Sequence, residues 1–434
     1  MSEEILVNSS KAKQQKINYL LVISISLALL YFASGYCKWL EIVVSIFACI
    51  FFVFAPIDKS FCLFLFLHNF IESNINTAYG FRLTFNLFTV ILGIKYIIGL
   101  IRKKYKFYPR IFTLLAVVFF ISVFLSLGKE QYYAAETYLS YIPLTYLIFA
   151  TRKEFKIDSV MNYFLLGFVI STLFALFSQI LPNYQYIISS NRFPAFAENP
   201  NYLYMRAILV ILFYMHMFLL EKLSIIKLCL IYLYSAFITI LTLSKTGIAL
   251  LALITLLFFI IYLRNDFKKR IKHVAFFLLG ILVFAIVLNK YLRMAYNRFS
   301  YDNGNFISSL LTDRDKIWIV YVKQWCKSPL TFLFGNGLLT AEPYVESLEM
   351  SMASHNLYLF LLYRFGLIGC LILGISVILM VIKSSKNKQL YISGFLPILW
   401  IIIQSFCDNT FKVFNFMFLI MPFFILFNQV KLDE

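Results

Sequence analysis

The 434-residue sequence contains no nucleotide-binding P-loop, no GxGxxG after a strand-like run, and no polar stretch long enough to make an ordinary soluble domain. Charged residues are scarce, at 14% against 61% hydrophobic and 19% aromatic, with a mean hydropathy of +0.82. No soluble core could absorb that much apolar surface. The period-two alternation of membrane strands is also missing, which excludes a β-barrel and leaves helices as the way to satisfy the backbone in lipid. The cysteines (Cys37, Cys49, Cys62, Cys229, Cys326, Cys370 and Cys407) form no close pair, so they suggest neither a metal knuckle nor a redox motif and read as small hydrophobes. No small-residue cleavage site follows the first apolar run, so that run is expected to remain as a span.

What is present is a succession of apolar runs such as Ile17 to Gly35, Asn162 to Leu181 and Val274 to Leu288. Each carries about the ~20 residues that cross ~30 Å of hydrocarbon as helix. The net charge of +18 could suggest nucleic acid, but the cations fall in short clusters between spans and report topology instead. Lys11, Lys13 and Lys16 place the N-terminus inside. The sets at 102–110, 152–156, 222–227, 264–272 and 383–388 then return to the cytoplasm after every second apolar segment. The expected fold is therefore an all-α, polytopic transmembrane helical bundle of about fourteen spans. The count falls to twelve if the short segments near 60–71 and 138–150 are tilted or re-entrant. Residues 1–16 and 429–434 are expected as cytoplasmic tails around a bundle at 17–428.

Two connections break the short-loop pattern, and both fall outside by this count: a smaller loop at 182–201 and a large one at 290–354. Long loops in compact membrane proteins are usually functional or disordered. Both hold cations that run against the positive-inside bias: Arg192 in the first, and Arg293, Arg298 and Arg314 in the second. Binding of something anionic explains them, with ordinary solvated loop charge as the alternative. Most other charge lies in loops, with Lys95 and Arg364 the exceptions.

Where the large loop ends, the sequence reads His355-Asn356, nine residues, then Gly366-Leu367-Ile368-Gly369. On one helix, at ~100° per residue, His355, Gly366 and Gly369 would share a face within about 40°. Glycines there let another helix approach closely. His355 would stand at its outer mouth, where a neutral imidazole can take a proton from an attacking hydroxyl. The alternative is a histidine that caps the helix and bonds the loop. Arg364 falls about 180° away and is left out of the site.

The run His-Asn-x9-Gly-x-x-Gly resembles the signature of the O-antigen polymerase (Wzy-type) and O-antigen ligase superfamily. Similar pieces stand in order over roughly residues 160–382: Arg192 with Asn199-Pro200-Asn201, Leu243-Ser244-Lys245-Thr246-Gly247, Arg314 through Ile317-Trp318, and Pro329 with Gly335-Asn336-Gly337. Lys245 departs from the pattern, since family members usually carry arginine there, and lysine lacks the planar fork that grips phosphate at two points.

The resemblance implies metal-independent glycosyl transfer at the outer leaflet of the bacterial cytoplasmic membrane, from an undecaprenyl diphosphate-linked glycan. His355 would be the base. Arg192 and Arg314, with Arg298 and Lys245 as lesser candidates, would stabilise the diphosphate leaving group. Glu198, Asn199 and Asn356 are weaker candidates for orienting the acceptor, and pairing with Arg192 is the blander role for Glu198. Tyr184, Tyr186, Phe193, Phe196, Tyr202 and Trp318 offer sugar-stacking surfaces or, the better reading, an interfacial belt. No clustered carboxylates suggest a divalent-metal site, and no cofactor is expected. The leading reading is a polymerase of repeat units for O-antigen, capsule or exopolysaccharide, acting beside membrane lipids, a flippase and a chain-length regulator. A ligase delivering finished glycan to lipid A core, protein or wall is the second. A flippase or other transporter, which tends to show internal repeats and midplane ionisable residues, is a reading of another class.

Overall fold

The computed structural model describes residues 19–37, 39–70, 79–131, 135–178, 180, 193, 195–196, 200–264, 267–300, 314–384 and 395–407. The described chain is helical apart from one two-residue hairpin. In order the helices are α1 (Tyr19–Ala33), α2 (Trp39–Phe54), α3 (Ile57–His68), α4 (Tyr79–Ile101), α5 (Pro109–Phe124), α6 (Ala135–Thr151), α7 (Ile157–Ser178) and α8 (Pro200–Leu219). They continue as α9 (Ile225–Leu241), α10 (Lys245–Leu263), α11 (Phe267–Val287), α12 (Asn289–Ser300), α13 (Arg314–Trp325), α14 (Pro329–Phe334), α15 (Leu357–Ser384) and α16 (Phe395–Cys407), with strands β1 (Tyr344–Val345) and β2 (Met350–Ser351) before α15. Six stretches within α4, α7, α8, α10, α11 and α15 are long and apolar enough to cross a membrane. The protein is thus an all-α, multi-pass membrane protein.

The chain divides into two compact units. The first, residues 1–95 with 154–199, contains α1, α2, α3, most of α4, and α7. Its α3 is 12 residues long and buries nearly every side chain. At 1.5 Å per residue it is about 18 Å long, too short to span, so the short segment near 60–71, expected to be tilted or re-entrant, is a buried core helix. Asn69 closes it by donating to the carbonyls of Leu65 (3.1 Å) and Phe164 (3.3 Å). Lys95 donates to the carbonyl of Ala55 and reaches Ser60 Oγ at 3.4 Å, which spends its charge on the α2–α3 turn. Phe193 and Phe196 are buried, and Phe196 packs edge-on to Tyr31 and against Phe70. They are core residues here, neither a belt nor a sugar platform.

The second unit, residues 96–153 with 200–434, carries α5, α6 and α8–α16. Its axis is α8, apolar all round and buried along almost its whole length, as a helix without a polar face must be. Arg206 lies inside it at 1% exposure, a third intramembrane cation that the sequence reading passed over.

The expected large loop is mostly structured. It opens with α12, and from Arg314 onward α13, α14 and the hairpin form a cap in which Ile317, Tyr321, Val345 and Tyr363 make a small apolar core against the first half of α15. α15 itself is broken: Gly366 has φ 63° and ψ −174°, outside the helical region. His355 precedes the helix, with φ 47°. The shared helical face expected for His355, Gly366 and Gly369 therefore does not exist. His355 is outside α15, and Gly366 interrupts it.

Candidate functional site

The break in α15 is filled by the turn Gly335-Asn336-Gly337. Asn336 N–H donates to Tyr363 O at 2.7 Å and Gly337 N–H to Arg364 O at 3.0 Å, so the loop takes up carbonyls that the broken helix leaves without their usual donors. Only glycine fits on either side. A Cβ on Gly335 would lie 2.5 Å from Gly366 N, and one on Gly366 would lie 2.4 Å from Gly335 N. The segment after the turn runs along the end of α5, where Leu338 N–H donates to Ser122 O and Leu339 N–H to Ser126 Oγ, both at 3.0 Å. Ala341 N–H donates to Glu130 O at 2.8 Å. Lys129 donates to Asn336 O at 2.8 Å, and burial together with nearby Lys327 holds its ammonium below the usual lysine range. Arg364, at 0% exposure, donates to Leu338 O at 3.2 Å and lies over the rings of Phe360 and Tyr363. The arginine left out of the site thus fastens the cap to the membrane helix.

The hairpin then delivers His355. Tyr344 pairs with Ser351 and Val345 with Met350, and Met352 N–H donates to Pro343 O at 3.3 Å. Two side chains of α13 hold the returning arm: Tyr321 OH donates to Met352 O (3.1 Å) and Trp318 Nε1 to Ser354 O (2.8 Å). Ser354 Oγ donates to Asn356 O (2.8 Å) and accepts from Asn356 N–H (3.3 Å), which closes a tight bend around His355. A left-handed φ is uncommon outside glycine, though histidine tolerates it better than most, and such strain persists where surroundings enforce it. Asn356 Oδ1 accepts from Leu359 N–H at 3.1 Å, so Asn356 is the helix cap. That assigns the capping role to Asn356 rather than His355.

Arg314 is the first residue of α13, one turn before Trp318 and about 40° from it around the helix. It lies on the side that faces the hairpin and is half-buried, whereas Asp315 and Ile319 are exposed. α13 therefore carries on one helix face Arg314 and Trp318, and Trp318 holds Ser354, the residue before His355. Sequence order placed Arg314 and His355 41 positions apart; the cap brings their segments together.

A second set of elements converges on α16. Tyr358, one residue into α15, donates to Ile402 O at 3.1 Å, and Tyr204, near the start of α8, pairs with the Gln404 amide at 2.8 Å. The starts of α8 and α15 thus lie level, against one turn of α16. α10 starts there too, because a Cβ on Gly247 would sit 2.7 Å from the Tyr204 ring and the N-cap Ser244 donates to Asn201 Oδ1 at 3.1 Å. Lys245, the half-buried first residue of α10, therefore stands at the same end of this unit as His355. The charge-derived topology required that these helix starts share a side.

Of the other expected residues, Tyr184, Tyr186, Arg192, Glu198 and Asn199 lie outside the described residues, and Arg298 falls in α12, where only the backbone is described. Sequence reading missed Gln404, Ser354 and Glu342. The last sits where the hairpin arms leave the ladder, and its Oε1 is buried with no hydrogen-bond partner among the described residues. Nothing in its local sequence marks it, since its position follows from the hairpin register.

The architecture is that of a polytopic helical membrane protein in which the starts of α8, α10 and α15 lie at one end of the larger unit, with an ordered cap of α13, α14 and the hairpin leading into α15. Residues 230–374 match the family model described as O-antigen ligase, which supports placing the chain in the O-antigen polymerase and ligase superfamily. The matched region contains Lys245, Arg314, His355 and the Gly366 break. No curated protein and no solved structure matches the chain.

Proposed function

We propose that this protein polymerises glycan repeat units carried on a polyprenyl diphosphate, at the outer face of the bacterial cytoplasmic membrane, with both termini in the cytoplasm. The observation that carries this reading is the bend at His355: a histidine relieved of capping by Asn356 and pinned by Ser354, which Trp318 holds from the α13 face that bears Arg314. In the step, an acceptor sugar hydroxyl attacks the anomeric carbon of the donor glycan. The new glycosidic bond forms as the bond to the diphosphate oxygen breaks. His355 takes the hydroxyl proton, and the lipid diphosphate leaves with its charge stabilised by Arg314 and Lys245, joined by Arg192 and Arg298. The side chains carry the whole step, and no metal or cofactor is called on.

The family description favours one further reading, ligation of a finished glycan to lipid A core, protein or wall. Purified protein given only lipid-linked repeat units, in chelator, separates the two. A polymerase makes a ladder of lengthening products. A ligase makes none until a distinct acceptor is added, then a single transfer product. No product under either condition contradicts both.

A further inference from the structure

We infer that α12 is an interfacial helix that docks on acidic phospholipid headgroups. A single non-helical residue, Leu288, separates it from the span α11, yet α12 packs against α9 and α10, whose junction lies at that end. It therefore lies across the bundle end rather than prolonging the span. Leu288 is buried and Leu292 half-buried, giving the strip by which it rests on the helix ends.

Around the rest of the helix, Asn289, Lys290, Arg293 and Asn297 form an exposed arc of about 100°, Met294 borders Lys290, and Tyr291 and Tyr296 flank the Leu288–Leu292 strip, one on each side. Tyr296 is 70% exposed, and Tyr291 and Met294 are each 37% exposed. An apolar strip edged by aromatic residues on both sides, a cationic arc and direct continuity with a span is the arrangement that lies in the headgroup plane. α12 has no acidic residue to neutralise its cations internally. Its charge therefore complements an anionic lipid surface, with Lys290 and Arg293 lowering their ammonium and guanidinium heads to phosphate while the stems cover the acyl boundary.

The test uses full-length protein with Tyr296 replaced by photoreactive benzoylphenylalanine, in nanodiscs of phosphatidylcholine containing one part in about three phosphatidylglycerol. The expected adducts, identified by mass spectrometry, are phospholipids, with the phosphatidylglycerol-to-phosphatidylcholine ratio raised over the bulk ratio by up to about fivefold for each cation engaged. The double variant K290Q/R293Q should keep the lipid adducts and lose the enrichment. Adducts to another protein segment, or none, would overturn the interfacial placement. Phosphatidylglycerol at its bulk fraction, unchanged by the double variant, would overturn the acidic preference. Neither outcome depends on whether the protein makes polymer.

Discussion

Two helices of the larger unit begin level with each other against the same turn of α16, and they are built in opposite ways. α8 is continuous, apolar on every side and sealed by protein along its length. α15 is more hydropathic and far less buried, yet it is broken at Gly366 and admits a loop into its interior. Irregular backbone at membrane depth is tolerated only where protein satisfies it, and the Gly335–Gly337 turn does so here. The contrast shows where the unit keeps rigidity and where it fastens chemistry: α8 is scaffold, and α15 is the helix to which the cap bearing Arg314 and leading to His355 is fixed.

The sharpest way to break that contrast is to close the gap in α15. Gly366→Val demands a left-handed β-branched residue whose side chain meets Gly335 backbone, so the protein should fail to accumulate in membranes, with the strain alone worth about 1–3 kcal/mol. Gly374, eight residues further along the same helix, has open space around it. Gly374→Ala should raise thermal stability in detergent by up to about 1 kcal/mol. Equal effects at the two glycines would mean that the break is incidental.

Much of this was legible in the sequence, and the illegible part has a common cause. Composition and charge order gave an all-α multi-pass protein, and the alignment of the starts of α8, α10 and α15 agrees with the sidedness those charges required. The sequence reading treated His355 to Gly369 as one helix and could not show the break, because Gly366 differs from Gly374 only in the loop that reaches it from 30 residues earlier. The same non-local turn explains Arg364, which reads as misplaced on a helical wheel and proves to be an anchor. His355 was singled out for a helical face that does not exist; its bend depends on Ser354, a residue with no signal of its own. Glu342 is invisible for the same reason, since only the hairpin register places it.

Smaller effects sharpen the account on the cap itself. Arg314→Ala should lower turnover by about 10²–10³ while membrane-inserted protein persists, and Arg314→Lys should restore part of it, because the charge returns without the two-point grip. Full activity in the alanine variant, measured as polymer per inserted molecule, would make Arg314 an ordinary loop charge. Smaller again is Asn356→Ala, which removes the cap bond to Leu359 and should cost about 1 kcal/mol in thermal unfolding. No change there would mean that another group closes α15.

The most direct measurement is turnover of lipid-linked repeat units by purified His355→Gln beside His355→Ala, with donor binding measured in parallel. Glutamine keeps hydrogen bonding to the bend but cannot accept a proton near neutral pH. If His355 is the base, both variants should fall by about 10²–10⁴ in turnover while donor binding changes little. Near-native product from His355→Gln, with His355→Ala inactive, would show that the bend needs only a hydrogen bond there and would contradict the proposed chemistry.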